Sequence, residues 1–134
     1  MIKRIFLADD DEDDAFLFKD ILAGLDKEVQ LTIAKNGVKL ITLLEEAEVL
    51  PELIFTDLNM PRKNGFQCLQ EIRSRPEWND IKIIIHSTAA QQEQIDESYR
   101  LGADLYLPKF TDYREFKLAL SKCLEMDWQH ASMK

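Results

Sequence analysis

The chain alternates short apolar runs with longer segments of helical periodicity along its whole length. Each apolar run is short enough for a strand, and each precedes a segment with apolar residues every three or four positions. Parallel strands need a crossover connection, which is usually a helix. The alternation predicts an α/β fold, a doubly wound, five-stranded parallel sheet with five helices on its two faces. The predicted strands are residues 2–8, 29–33, 53–57, 81–85 and 105–107, and the predicted helices are 12–24, 38–48, a segment opening at 66, 91–101 and 112–129.

Length and charge narrow the class of protein. The 134 residues suit one domain with one core, and we expect that domain at 1–127, followed by a C-terminal tail at 128–134. The net charge of −8 disfavours nucleic acid as a partner. No run of about 18 apolar residues occurs, so neither a membrane span nor a secretory signal is expected. Cys68 and Cys123 lack CxxC spacing and fit reduced thiols in a cytoplasmic protein.

Six consecutive acidic residues, Asp9 to Asp14, directly follow the first predicted strand. A block of like charges is usually solvated, but apolar segments border this one on both sides. Carboxylates crowded at a strand end stay ionised when a cation joins them, and Mg²⁺ prefers such oxygen ligands. We therefore predict a Mg²⁺ site here. Asp11 to Asp14 are expected to form a solvated helix start, favoured by the helix dipole.

Polar residues suited to one reaction also follow later strands. The third strand ends at Asp57, the fourth is followed by Ser87, and the fifth by Lys109. The carboxyl ends of parallel strands meet at one edge of the sheet, where such folds bind ligands. Phosphoryl transfer depends on positioning and on neutralising the transferred oxygens. We predict that Asp57 is the nucleophile, forming an acyl phosphate, and that Mg²⁺ held by Asp10 bridges it to the phosphoryl group. Lys109 and Ser87 would hold the other phosphoryl oxygens.

The segments that carry these residues are FLADDDEDD, LIFTDLNMPRKNGF, IIIHSTAA and GADLYLPKF. They resemble the receiver domain of bacterial two-component response regulators over nearly the whole chain, from residue 2 to about 126. The resemblance implies a flavodoxin-like sheet of strand order 2-1-3-4-5. It also implies that Asp57 accepts a phosphoryl group from the phosphohistidine of a sensor histidine kinase or a histidine phosphotransfer protein.

Individual roles follow from the same resemblance. The acidic pair that binds Mg²⁺ matches Asp9 with Asp10, although the register Asp10 with Asp11 stays open from spacing alone. The main-chain carbonyl of Asn59 would supply another ligand beside Asp57. The matched switch hydroxyl, switch aromatic and phosphate-binding lysine are Ser87, Tyr106 and Lys109.

The resemblance implies a signalling protein rather than an enzyme, with chemistry limited to gaining and losing its own phosphoryl group. Phosphorylation would draw Ser87 toward the phosphate, and Tyr106 would turn inward into the space left. The face formed by the fourth helix, fifth strand and fifth helix would then bind a downstream protein or a second copy. No DNA-binding or catalytic segment follows, so we expect a stand-alone regulator similar to chemotaxis regulators. The motifs PRKNG and HST resemble receivers paired with phytochrome-type kinases.

The chain departs from the family at Pro108-Lys109-Phe110, where receivers usually carry Lys-Pro with a cis bond. A cis bond before Phe110 would cost roughly 3 kcal/mol, so the resemblance does not say how this loop presents the lysine.

Other functions compete with this interpretation. Haloacid dehalogenase-type phosphohydrolases use similar groups, but they carry the nucleophile in DxD on the first strand rather than in DLN after the third. A flavin mononucleotide binder would need a hydroxyl- and glycine-rich loop where this chain has six acids. A phosphorelay intermediate, which passes the phosphoryl group on to a histidine phosphotransfer protein, stays open.

Overall fold

The computed structural model describes residues 3–89 and 91–126. One sheet holds five parallel strands in the order β2-β1-β3-β4-β5, which confirms the predicted architecture. The strands are β1 (Lys3–Ala8), β2 (Val29–Ala34), β3 (Leu53–Thr56), β4 (Lys82–Ser87) and β5 (Leu105–Pro108). The helices are α1 (Glu12–Ala23), α2 (Gly37–Glu46), α3 (Gly65–Arg73), α4 (Gln92–Arg100) and α5 (Tyr113–Glu125), with a short 3₁₀ turn at Pro76–Trp78.

Element ends differ from the predictions by a few residues. β4 continues through Ser87 rather than ending at Ile85, because Ser87 is still paired with Pro108 of β5. α2 ends at Glu46, two residues earlier than the periodicity predicts. α5 is described to Glu125, so the predicted extension of this helix to 129 and the tail at 128–134 lie outside the described residues.

Alternation along the strands divides the core into two layers. In β4, Ile83 and Ile85 pack with α2 and α3 on one face of the sheet, and Ile84 packs with α1 and α5 on the other. This is the period of two expected for strands buried on both faces. Burying each large apolar side chain contributes about 1.5–3 kcal/mol, so the two layers stabilise the sheet that positions the strand ends.

In the described part of the chain, no helix combines the length and the apolar character needed to cross a bilayer.

Candidate functional site

Backbone hydrogen bonds continue past the strand ends and so align the residues that follow them. The amide of Asp57 donates to Ala8 O at 2.9 Å, one residue beyond the pairing of β1 with β3. The amide of Lys109 donates to Ser87 O at 2.9 Å, just beyond the pairing of β4 with β5. The sheet therefore brings Asp9, Asp57, Ser87 and Lys109 to its C-terminal edge, where the strand rule predicts a site.

One ammonium lies at the centre of this edge. Lys109 Nζ is 2.8 Å from Asp57 Oδ2, 3.0 Å from Asp9 Oδ2 and 2.7 Å from Asp14 Oδ2. Burial by itself lowers the pKa of Lys109, but hydrogen bonds to the three carboxylates outweigh it and hold that pKa above its ordinary value. The lysine is therefore a fixed positive charge beside Asp57.

Asp9 is a buried acid whose ionised form is disfavoured by its surroundings. Burial raises the pKa of the Asp9 carboxyl, and the hydrogen bonds from the Asp11 amide and from Lys109 offset only part of that effect. The nearby Asp57 charge raises the Asp9 pKa further. A second cation at this edge would favour the ionised form of Asp9.

Three carboxylates form a cluster that suits a metal. Asp9, Asp10 and Asp57 each offer an oxygen, and these oxygens lie within 4.8 Å of one another. A donor set made of oxygen alone is the kind that Mg²⁺ binds, so the residues present fit this ion. Asp11 is outside the cluster because its side chain caps α1, accepting hydrogen bonds from the amides of Asp13 and Asp14.

The backbone around Asp57 leaves little freedom to its side chain. The amide of Leu58 donates to Asp57 Oδ1 at 2.7 Å, and the amide of Asn59 lies 3.5 Å from the same oxygen. Gly65, the first residue of α3, packs so closely that a Cβ there would lie 2.3 Å from Asp57 O. Only glycine fits this position, which ties the start of α3 to the candidate nucleophile.

Ser87 and Tyr106 lie next to each other behind the cluster, and both are buried. Ser87 Oγ accepts a hydrogen bond from the Ala89 amide at 3.2 Å, and within residues 3–89 and 91–126 no hydrogen bond joins it to Asp57. Burial raises the pKa of Tyr106, while the nearby Ser87 hydroxyl lowers it in part. Across the same residues, Tyr106 Oη makes no hydrogen bond of normal geometry. The ring thus occupies the inward position, with its hydroxyl unsatisfied.

The peptide bonds of the Pro108-Lys109-Phe110 loop are trans, as are all the peptide bonds among the described residues. His86 contacts the end of β5, which leads into this loop, and its Nδ1 lies 3.2 Å from Leu107 O. Beyond the lysine, the Phe110 ring stacks on Phe116, with centroids 6.2 Å apart. Although this loop lacks the Lys-Pro pattern, it still places the Lys109 amine against Asp57.

Asp14 is the site residue that the sequence pattern missed. Asp11 to Asp14 were expected to be a solvated helix start, and that prediction is wrong for Asp14, which pairs with Lys109. Asp14 lies three residues after the N-cap Asp11, almost one helical turn, so it points back toward the strand ends. That spacing was the available signal, but it does not reveal how far the lysine that follows β5 can reach.

A family model for the response regulator receiver domain matches residues 5–121 of this chain. The response regulator Rcp1 of Synechocystis sp. is 29% identical over 122 residues, which are 87% of this chain and 83% of Rcp1.

Solved structures show the same likeness. The phosphorylated cyanobacterial phytochrome response regulator RcpA is similar with a TM-score of 0.84 and 29% identity, over 97% of this chain and 96% of RcpA. The Mn²⁺-bound form of Rcp1 is similar with a TM-score of 0.83 and 23% identity, over 98% of this chain and 99% of the other. At that lower identity the likeness concerns the fold alone.

Proposed function

Because this chain belongs to the response regulator receiver domain family, we propose that Asp57 accepts a phosphoryl group from a phosphohistidine. The donor would be a sensor histidine kinase or a histidine phosphotransfer protein of a two-component system. One observation carries the proposal: a buried carboxylate, Asp57, lies 2.8 Å from the Lys109 ammonium beside two further acids, Asp9 and Asp10. A nucleophile, a fixed cation and a cluster suited to Mg²⁺ are the parts that phosphoryl transfer needs.

In the proposed reaction, a carboxylate oxygen of Asp57 attacks phosphorus and forms the new P–O bond. The P–N bond to the donor histidine breaks, and the leaving imidazole nitrogen keeps the bonding electron pair and takes up a proton from water. Lys109 neutralises charge on the transferred oxygens, and the Leu58 amide orients the Asp57 carboxylate. Mg²⁺, when bound by Asp9, Asp10, Asp57 and the Asn59 main-chain carbonyl, would neutralise further charge on these oxygens.

The metal proposal has support from two sources. The three carboxylates lie close enough to bind one ion together, and the donor set is all oxygen. Rcp1, a relative of this chain, has a Mn²⁺-bound form. We propose Mg²⁺ for this chain because hard oxygen ligands suit it and because the phosphoryl group adds more oxygens of the same kind.

We propose that Ser87 and Tyr106 transmit the event. Phosphate on Asp57 would attract the Ser87 hydroxyl, and Tyr106 would then favour its buried position over an exposed one. Tyr106 lies in β5 and its amide donates to Tyr99 Oη of α4 at 2.9 Å, so its position bears on the face formed by α4, β5 and α5. That face would bind a downstream protein or a second copy of the chain.

The partners we propose follow the relatives. RcpA is a phytochrome response regulator, which supports a phytochrome-type histidine kinase as the donor here. The net charge of −8 supports a protein target rather than nucleic acid. We place this chemistry in the cytoplasm, where Cys68 and Cys123 would stay reduced.

Intact mass spectrometry after incubation with Mg²⁺ and acetyl phosphate tests the phosphoacceptor. We expect one added phosphoryl group on the parent chain, removed by hydroxylamine as an acyl phosphate is. The group should be absent from Asp57→Asn and from a sample treated with a chelator. An adduct that persists in Asp57→Asn would contradict the assignment of this residue.

A transfer assay tests the donor class. A phytochrome-type histidine kinase labelled on its histidine should lose the label to the parent chain and not to Asp57→Asn. Transfer onward from the phosphorylated chain to a histidine phosphotransfer protein would instead favour the phosphorelay intermediate.

A further inference from the structure

The shortest contact of the Lys109 ammonium is made with Asp14, a residue that the proposed phosphoryl transfer does not use. Nζ lies 2.7 Å from Asp14 Oδ2, against 2.8 Å for Asp57 and 3.0 Å for Asp9. An ammonium has three N–H donors, and three carboxylates occupy them here. Any further acceptor on Lys109 must therefore displace one of the three.

The three carboxylates are not equally replaceable. The Asp9 side chain is 2% exposed and the Asp57 side chain 11%, whereas Asp14 is 41% exposed. Losing Lys109 would leave Asp9 or Asp57 with a buried, uncompensated charge, which is costly. Water can replace the lysine at Asp14, because that carboxylate lies at the mouth of the site. Asp14 is thus the partner from which the lysine separates most easily.

Phosphorylation would supply the further acceptor. A phosphoryl group on Asp57 carries a charge of about −1.5 to −2 in place of the single charge of the carboxylate, and it adds oxygens within reach of Nζ. On the side of α1 and α5, Lys109 has little free space. Asp14 and Lys109 border a cavity of only about 20 Å³, whose other walls include Phe110 and Phe116. Because phosphorylation converts the Asp57 carboxylate into an acyl phosphate, one phosphoryl oxygen can take over the contact of Asp57. A second phosphoryl oxygen reaches Nζ by displacing Asp14, the more exposed of the two remaining partners.

We propose, on the basis of the phosphoacceptor function above, that Asp14 is a positioning residue that competes with the phosphoryl group for Lys109. The carboxylate holds the ammonium at the mouth of the site and lowers its availability to the incoming phosphoryl oxygens. Asp14 thereby slows the gain of phosphate and sets how readily this receiver responds to its donor.

A matched pair of substitutions separates competition from general charge. Asp14→Asn removes the carboxylate that contacts Lys109, and Asp13→Asn removes the same charge from the same helical turn. Asp13 is exposed, and its side chain makes no ion pair in the described ranges. The parent, both variants and Asp57→Asn are incubated with Mg²⁺ and acetyl phosphate, and the rate of phosphoryl gain is followed by intact mass.

We expect Asp14→Asn to gain phosphate about three-fold faster than the parent, the scale of one partly exposed ion pair, and Asp13→Asn to match the parent. A second measurement observes the lysine directly. In Asp14→Asn, but not in Asp13→Asn, the ¹H–¹⁵N signal of the Lys109 ammonium should shift. The ammonium protons should also exchange with water about three-fold faster there, because the ion pair with Asp14 is lost. Asp14→Glu should restore the parent behaviour in both experiments.

Equal rates in Asp14→Asn and Asp13→Asn, or a slower rate in Asp14→Asn, would overturn the competition while the parent still gained phosphate. An unchanged ammonium signal in Asp14→Asn would overturn it as well. A parent that gains no phosphate would remove the phosphoacceptor function and this inference with it, so the two failures are distinguishable.

Discussion

Tyr99 contacts the backbone of Tyr106, and the hydroxyls of these two residues have opposite hydrogen-bonding situations. Tyr106 Oη is buried and makes no hydrogen bond of normal geometry among the described residues, whereas Tyr99 Oη accepts a hydrogen bond from the Tyr106 amide at 2.9 Å. A buried unsatisfied hydroxyl costs free energy, and so does a buried amide that loses its acceptor. Removing each oxygen should therefore change stability in opposite directions.

We predict that Tyr106→Phe raises the free energy of unfolding by about 1 kcal/mol and that Tyr99→Phe lowers it by about 1 kcal/mol. Urea unfolding followed by circular dichroism measures both. The two variants lose the same atom from the same residue type, so each controls for the other. A loss of stability in Tyr106→Phe would show that its hydroxyl is satisfied in solution.

His86 is a buried histidine, enclosed by the rings of Phe18, Phe55 and Phe116. Burial lowers its pKa from 6.5 to about 4, although the hydrogen bond with Leu107 O opposes the change. Because the folded-state pKa is depressed, the unfolded chain binds the proton more readily between these two values. The contribution of His86 to stability is complete above pH 6.5, falls as the pH decreases, and levels off near pH 4.

We predict that acidification from pH 7 to pH 5 lowers the free energy of unfolding by about 2 kcal/mol through His86. Urea unfolding at several pH values gives this slope. His86→Asn keeps a donor near the Nδ1 position but does not titrate, so its slope should be smaller by that amount. The same slope in both proteins would assign the pH dependence to other groups.

At the scale of elements, Arg73 joins the end of α3 to the segments that precede β4 and β5. Its guanidinium donates to Gly102 O at 2.9 Å, to Ile81 O at 3.0 Å and to Asp104 Oδ2 at 2.9 Å. Asp104 Oδ2 also accepts from the Ile83 amide at 2.8 Å. The planar fork of arginine is suited to several acceptors at once, which a lysine cannot match.

We predict that Arg73→Met lowers the free energy of unfolding by about 2 kcal/mol, since three partly buried acceptors lose their donor, and that Arg73→Lys recovers only part of this. Arg100→Met is the control, because Arg100 pairs with Glu97 on the exposed face of α4 and should change nothing measurable. Chemical unfolding measures all three variants. If Arg73→Met and Arg100→Met had similar effects, the Arg73 network would contribute no more to stability than a surface ion pair does.

Elements whose apolar pattern is strong were predictable, and contacts that depend on side-chain reach were not. Short apolar runs and helical spacing predicted the five strands and five helices, and the strand-end rule predicted that Asp57 and Lys109 meet. In α4, Ile95 was predicted to be the inner residue and does pack against the core, but the fully buried residue is Ser98. A serine can turn inward there because its Oγ donates to Gln94 O at 2.9 Å within its own helix. A buried polar residue whose hydrogen bond is made within its own helix cannot be identified from the pattern of apolar residues.

For the whole molecule, net charge and the acidic cluster predict two different responses to cations. A chain with a net charge of −8 is stabilised by any salt that screens its self-repulsion. A specific site at Asp9, Asp10 and Asp57 would add a response to Mg²⁺ that saturates and is seen even when the ionic strength is held constant. Separating the two responses needs one variant that removes the site and a control variant that removes the same charge elsewhere.

Asp10→Asn and Asp13→Asn meet this condition, because each removes one exposed acid and only Asp10 belongs to the cluster. At constant ionic strength, Mg²⁺ at ten times its dissociation constant should stabilise the parent by about 1.4 kcal/mol, because it binds only the folded state. Thermal unfolding with and without Mg²⁺ should show this rise in the parent and in Asp13→Asn, and its loss in Asp10→Asn. Without Mg²⁺, Asp10→Asn should be at least as stable as the parent, since one repelling carboxylate is gone. An equal rise with Mg²⁺ in both variants would mean that the ion acts by screening the whole molecule rather than by binding at the strand ends.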